Sequence, residues 1–182
     1  ASDFPDANLN IISDLERFID ENLRTARRFL RKIGYIKSFD EVTFFELNKH
    51  TDRSLVSDYL KGALDGKNIG LLSEAGVPCV ADPGSEIVML AHNLDIKVVP
   101  LTGPSSILLA LMASGLNGQN FIFHGYLPIE KKARDFRIKE LEKKALQERQ
   151  SQIIIETPYR NKQVFDAIVK TCNNKQTYVL LL

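Results

Sequence analysis

Residues 71–88, LLSEAGVPCVADPGSEIV, contain two Gly/Pro turns, Ala75-Gly76-Val77-Pro78 and Asp82-Pro83-Gly84. An acid accompanies each, Glu74 and Asp82. The stretch begins as a buried strand and ends as a helix, and such a connection needs only one turn. A glycine at a strand exit lets bare backbone approach a ligand. Two later exits, 102–106 and 125–128, also carry glycine. Neither G-x-G-x-x-G nor GxxxxGK[ST] occurs, and no Lys or Arg lies between Lys67 and Lys97. The first two exits thus offer a polyphosphate no cation. Their flanks, with Ala75, Val77, Cys79, Val80 and Ala81, suit a neutral or zwitterionic ligand with an adenine or thioether part. The competing reading is a plain connection with an extra turn.

Basic residues cluster twice. Arg24, Arg27, Arg28, Arg31 and Lys32 occur with no acid between Asn22 and Ser38. On a helix, Arg24, Arg28 and Lys32 share one ridge. That ridge either holds an RNA backbone or is a solvated face whose C-terminal cations complement the helix dipole. The second cluster, 131–149, is interleaved with acids and reads as an exposed helix. His50, His92 and His124 lie far apart and show no metal-ligand spacing, so no metal is expected. His124 follows three apolar residues and faces either a cleft or the packed interior.

The elements that must position these residues alternate. Periodicity and caps predict helices over 22–33, 51–64, 82–91, 105–115, 131–150 and 159–172. Short apolar runs predict strands at 41–47, 68–72, 96–101, 121–125, 151–156 and 178–182. This is an α/β pattern with mainly parallel sheets and right-handed crossovers, whose ligand loops leave the carboxyl ends of the strands. The polar stretch 117–120 predicts a domain boundary, giving an N-terminal α/β domain over 1–118 and a C-terminal one over 119–182.

Bulk composition fits an ordinary globular chain. Of 182 residues, 44% are hydrophobic and 26% charged, and the net charge is +1, so nucleic acid would have to be met by a local patch. Apolar runs are too short to span a bilayer. The first residues, ASDFPDANLN, lack a signal peptide's basic and apolar regions. Two cysteines, Cys79 and Cys172, form no disulfide framework, and a reduced cytoplasmic location is expected.

LLSEAGVPCVADPG, followed by VVPLTGPSSILLALMASGL and FIFHGYLP, resembles the tetrapyrrole methylase superfamily, the class III S-adenosylmethionine-dependent methyltransferases. ENLRTARRFL and IIIETPYR add similarity to its branch of small-subunit ribosomal RNA cytidine 2′-O-ribose methyltransferases. This chain has Glu74, Val77 and Thr102 where that branch usually has Asp, Thr and Pro. The resemblance implies two α/β domains with S-adenosyl-L-methionine in the cleft between them. It implies cofactor contacts at Gly76, Val77, Pro78, Val80, Ser105, Ser106, Ile107 and Leu127. Asp82 is then mainly a helix cap. It also implies a homodimer, which the very apolar helix over 105–113 favours independently.

Methyl transfer from a sulfonium mainly requires alignment, and a ribose hydroxyl also requires proton removal. Glu21 and Glu156, each near a strand exit or helix start, are the candidate bases, although Glu21 also reads as a first-turn acid on the helix dipole. Arg24 and Arg28 are the candidate substrate contacts. Three functions remain open at this point: methylation of ribosomal RNA, methylation of a tetrapyrrole or other small molecule, and a non-catalytic binding module.

Overall fold

The computed structural model describes residues 4–173, which form two compact units divided between Pro104 and Ser105. The polar stretch 117–120 falls inside the second unit.

The first unit opens with α1 (Asp6–Asp14) and β1 (Arg17–Asp20). β1 is the middle strand of a three-stranded parallel sheet ordered β2-β1-β3, with β2 at Thr43–Glu46 and β3 at Gly70–Leu71. Successive side chains of β1 point to opposite faces. Phe18 lies in a cluster with Ile12, Leu15, Leu30, Tyr35 and Val42. Ile19 lies in another with Leu47, Val56, Leu60, Ile87 and Ala91. Both Phe18 and Ile19 are fully buried, each contributing roughly 1.5–3 kcal/mol of apolar burial. Asp20, two positions after Phe18, falls on the Phe18 face.

That face is covered by α2 (Leu23–Lys32), whose Ala26 and Leu30 are buried. The Asn22 side chain starts the helix, accepting from the amides of Arg24 at 3.1 Å and Thr25 at 3.2 Å. The predicted helix over 51–64 is broken into a 3-10 turn (Arg53–Leu55), α3 (Val56–Tyr59) and α4 (Lys61–Leu64). Leu60, at φ −90° and ψ −3°, is the joint between α3 and α4. Helix α5 (Gly84–Asn93) follows β3 and the double turn. The predicted strand at 96–101 does not form. Ile96 and Val98 pack against the Ile19 cluster, Pro100 cannot donate to a ladder, and the segment pairs with no strand among the described residues.

In the second unit, α6 (Ser106–Ser114) ends at Gly115 in the left-handed region, φ 68°. Then come β4 (Phe121–Phe123), α7 (Lys131–Glu148), β5 (Ser151–Ile153) and α8 (Asn161–Thr171). β4 and β5 pair in parallel, with Phe121 opposite Ser151 and Phe123 opposite Ile153. Leu127, Ile138, Leu141, Val164 and Cys172 form the core beneath them. Glu130 caps α7, its carboxylate accepting from the Lys132 amide at 2.8 Å and the Ala133 amide at 2.6 Å. The strand expected over 178–182 lies outside the described residues. The architecture is α/β with parallel sheets.

Candidate active site at the carboxyl ends of the strands

The double turn after β3 bends back to the end of β1. Glu21, the first residue past β1, accepts the Glu74 amide on its Oε1 at 3.1 Å. Thr25, in the first turn of α2, donates its hydroxyl to Glu74 Oε1 at 3.0 Å. Asp82 Oδ1 accepts from the Gly84 amide at 2.6 Å and from the Cys79 amide at 3.0 Å. Asp82 therefore caps α5, as expected, and also pins the loop. The helix begins at Gly84, with Pro83 as its N-cap. A Cβ on Gly84 would stand 2.7 Å from Asp82 Oδ1, so this closure needs glycine. Within it Cys79 and Ala81 are held in the left-handed region, at φ 72° and 58°.

Glu21 precedes the Asn22 cap and stands outside α2, which has no acid in its first turn. It is a strand-exit carboxylate and not the first-turn acid that helix-dipole reasoning suggests. Burial raises its carboxyl above the ordinary glutamate range, and the neighbouring Asp82 and Glu74 raise it further. The Glu74 amide pulls the other way without reversing the direction. Its neighbour Asp20 is 3% exposed, and its carboxylate closes no well-formed hydrogen bond among the described residues, although the nearby Asn22 amide and Arg27 favour its ionised form. Burial, then the charge of Glu46, pushes the Asp20 carboxyl up to about 6. Register makes Glu46 its direct cross-strand neighbour.

Gly76 lies at φ +76°, with open space where a Cβ would project. Backbone at that point can lie against a ligand with no side chain between. The acids Glu21, Glu74 and Asp82 nearby favour a cationic group such as a sulfonium or ammonium. This loop therefore fits the cofactor class that the sequence implies. Gly76, Val77, Pro78 and Val80 belong to the first unit, and Ser105, Ser106, Ile107 and Leu127 to the second. Ser105 stands at the N-cap of α6 without a side-chain cap bond. Ser106 and Ile107 line a hollow of about 90 Å³ against β5. The Leu127 side chain is buried in the core, so this residue has only its backbone to offer a ligand.

Glu156 has different surroundings. Its side chain is 3% exposed and pairs with Arg160 at 3.2 Å. Its Oε1 accepts from the Thr157 amide at 2.9 Å. Arg160 also donates to the Leu127 carbonyl at 3.4 Å, tying the 125–128 loop to the β5 exit. His124 is held on both sides. Arg137 can only donate, so its 3.1 Å contact makes His124 Nδ1 the acceptor, and Nε2–H donates to Gln152 Oε1 at 2.7 Å. The ring is thus fixed by hydrogen bonds on both sides.

The five cations around α2 divide into two kinds. The guanidinium of Arg27 lies 5.2 Å from the Phe44 ring centre and 5.4 Å from that of Phe39. That of Arg31 lies 4.0 Å from Phe39 and donates to the Tyr35 carbonyl at 2.6 Å. Arg24, Arg28 and Lys32 are exposed on the common ridge. Among the described residues, no three His, Cys, Asp or Glu side chains converge to hold a metal ion. No described helix is long and apolar enough to cross a membrane.

The arrangement defines an α/β protein with an acid-lined loop site at its parallel strand ends. The profile of the tetrapyrrole (corrin/porphyrin) methylases matches residues 9–180, and the chain belongs to this family. Ribosomal RNA small subunit methyltransferase I of Bacillus subtilis (strain 168) is 40% identical over 76% of this chain and 45% of its own length. The protein of the same name from Halalkalibacterium halodurans is 28% identical over 94% of this chain and 56% of its own. The crystal structure of the methyltransferase CobJ superposes with a TM-score of 0.58 and 14% identity, covering 94% of this chain and 72% of that one, a likeness of fold alone. The chain spans about half the length of the curated relatives it matches.

Proposed function

We propose that this chain is the cofactor- and acceptor-handling part of an S-adenosyl-L-methionine-dependent methyltransferase that 2′-O-methylates ribosomal RNA. The observation that carries the reading is the family match together with relatives named for small-subunit ribosomal RNA methylation. The reading includes a cofactor cleft between two α/β domains, a homodimer and a cytoplasmic location. Support for the dimer comes from α6, which has no buried residue and exposes Leu108, Leu109 and Met112.

Bound S-adenosyl-L-methionine supplies a methyl group already activated on a sulfonium. The backbone at Gly76, Val77 and Pro78, with Val80 beside it, orients that donor, and Ser105, Ser106, Ile107 and the Leu127 backbone complete its contacts. Glu21 takes the proton from the acceptor hydroxyl on its carboxylate. Glu156 is left to structure, because Arg160 and the Thr157 amide already occupy it. Arg24 and Arg28 contact phosphates, which position RNA without reading its sequence.

Mass spectrometry of small-subunit ribosomal RNA from cells with and without the gene tests this directly. One ribose methyl group is expected to disappear with the gene. An identical methylation pattern would refute the RNA reading and favour the small-molecule methylase or the non-catalytic module.

A further inference from the structure

Glu74 joins two segments that carry the proposed chemistry. Among the described residues, two hydrogen bonds connect the 73–84 loop to residues 21–32, and Glu74 makes both. Its amide donates to Glu21 Oε1 at 3.1 Å, and its own Oε1 accepts the Thr25 hydroxyl at 3.0 Å. The Thr25 hydroxyl also lies 3.3 Å from Asn22 Oδ1, but that oxygen already takes the Arg24 and Thr25 amides. A hydroxyl has one proton to give, and the shorter contact is with Glu74.

The two ends of this link differ. Thr25 is held firmly, because the Asn22 cap fixes its backbone and the next residue, Ala26, is buried. On the loop side, Glu74, Ala75 and Gly76 are all exposed, and Gly76 lies at φ +76°. Glu74 also stands beside two acids, Glu21 and Asp82. Like charges repel, so the Glu74 side chain turns to water unless a donor holds it. Thr25 is that donor, and a neutral hydroxyl holds the carboxylate without cancelling its charge. Resting on the reading of Glu21 as the proton acceptor, we propose that Thr25 and Glu74 are positioning residues for methyl transfer. Thr25 anchors Glu74 to α2, and the Glu74 amide aims the Glu21 carboxylate at the acceptor hydroxyl. Gly76 follows two residues later, so the same anchor places the cofactor turn and the base in one frame. Neither Thr25 nor Glu74 reacts. Transfer from an activated donor depends chiefly on alignment, so losing the anchor slows the reaction while binding persists.

The test is single-turnover methyl transfer to small-subunit ribosomal RNA at saturating cofactor and RNA, followed across pH. Thr25→Val keeps the branched shape and removes the hydroxyl. It should lower the plateau rate roughly tenfold, with cofactor affinity, RNA affinity and the denaturant midpoint unchanged. Thr25→Ser should restore the rate. A merely structural role would move the midpoint or the affinities instead. Glu74→Gln separates charge from anchorage, since it keeps an oxygen for Thr25 and the amide for Glu21. The Glu74 charge raises the Glu21 carboxyl, so in this variant the rise of the pH–rate profile should move to lower pH. A wild-type plateau in Thr25→Val, a fall that Thr25→Ser does not restore, or an unmoved rise in Glu74→Gln overturns the positioning role alone. A wild-type rate in Glu21→Gln, or no transfer to RNA by the wild-type protein, overturns the reading beneath it as well.

Discussion

Glu21 and Glu156 both stand just past the carboxyl end of a parallel strand, and their surroundings are opposite. Glu156 meets a guanidinium at 3.2 Å and two Thr157 donors. Glu21 meets acids, Asp82 and Glu74, and a single amide. The same contrast extends around each. In the second unit, the carboxyls of Glu130, Asp135 and Glu140 are held below their ordinary values by helix amides, Lys131 and Arg137 respectively. At the end of β1, Asp20 and Glu21 are raised, first by burial. Paired carboxylates hold structure together. Carboxylates left unpaired against each other cost stability and are the ones able to move a proton or accept a ligand.

The comparison would be broken most visibly in stability. Arg160→Met leaves the Glu156 carboxylate buried and uncompensated, and should cost about 3–5 kcal/mol in denaturant unfolding. A loss below ~1 kcal/mol would mean that Glu156 is as unpaired as Glu21.

Asp20 should show the reverse sign. Its pKa rises from 3.8 to about 6 in the folded chain. The folded state thus binds the proton more tightly than the unfolded one. Stability from this group is complete below about pH 4 and is lost as pH rises through about 6. Asp20→Asn should therefore stabilise the chain by roughly 1–3 kcal/mol at neutral pH. It should have almost no effect at pH 3.5. Destabilisation at neutral pH would show that Asp20 has a partner.

A smaller effect is expected on the basic ridge. Arg24→Glu with Arg28→Glu should weaken RNA binding at any sequence and flatten its salt dependence by about two phosphate contacts. Cofactor affinity should be unchanged, which calorimetry can check. The same reversal at Arg27 would disturb the fold as well, because Arg27 covers Phe39 and Phe44.

Smallest is a shift within the site. Asp82→Asn keeps the oxygen that caps α5 but removes a charge beside Glu21. A general base works when ionised, so the pH–rate profile should rise through the Glu21 pKa. In the variant that rise should move to lower pH. An unmoved limb would separate Asp82 from the titrating group.

Much of this was legible in the residues. Asn22 before α2, Gly115 after α6 and the alternating charges of α7 are local signals, and local physics set those elements. The second turn of the pair was legible as a helix start, because Asp82 capping is also local. The middle strand β1 was not. Its four residues, Arg17–Asp20, carry charge at both ends and give no apolar run, and only its neighbours on both sides make it the centre of the sheet. At 96–101 apolar content misleads, because Ile96 and Val98 serve packing against the Ile19 cluster and not a ladder. The ionic state of Asp20 depends on its register with Glu46, and the sorting of Arg27 from Arg24 depends on where Phe39 and Phe44 fall; neither is a matter of spacing. The Glu156–Arg160 pair carried no spacing signal, because both precede α8 and the loop after β5 brings them together.

The most direct test of the account is single-turnover methyl transfer from S-adenosyl-L-methionine to the RNA acceptor, comparing wild type, Glu21→Gln and Glu156→Gln at matched folded fraction. The account predicts a fall of about a hundredfold or more for Glu21→Gln with stability kept, and an unchanged rate per folded molecule for Glu156→Gln. A wild-type rate in Glu21→Gln, or the large fall in Glu156→Gln instead, would contradict it.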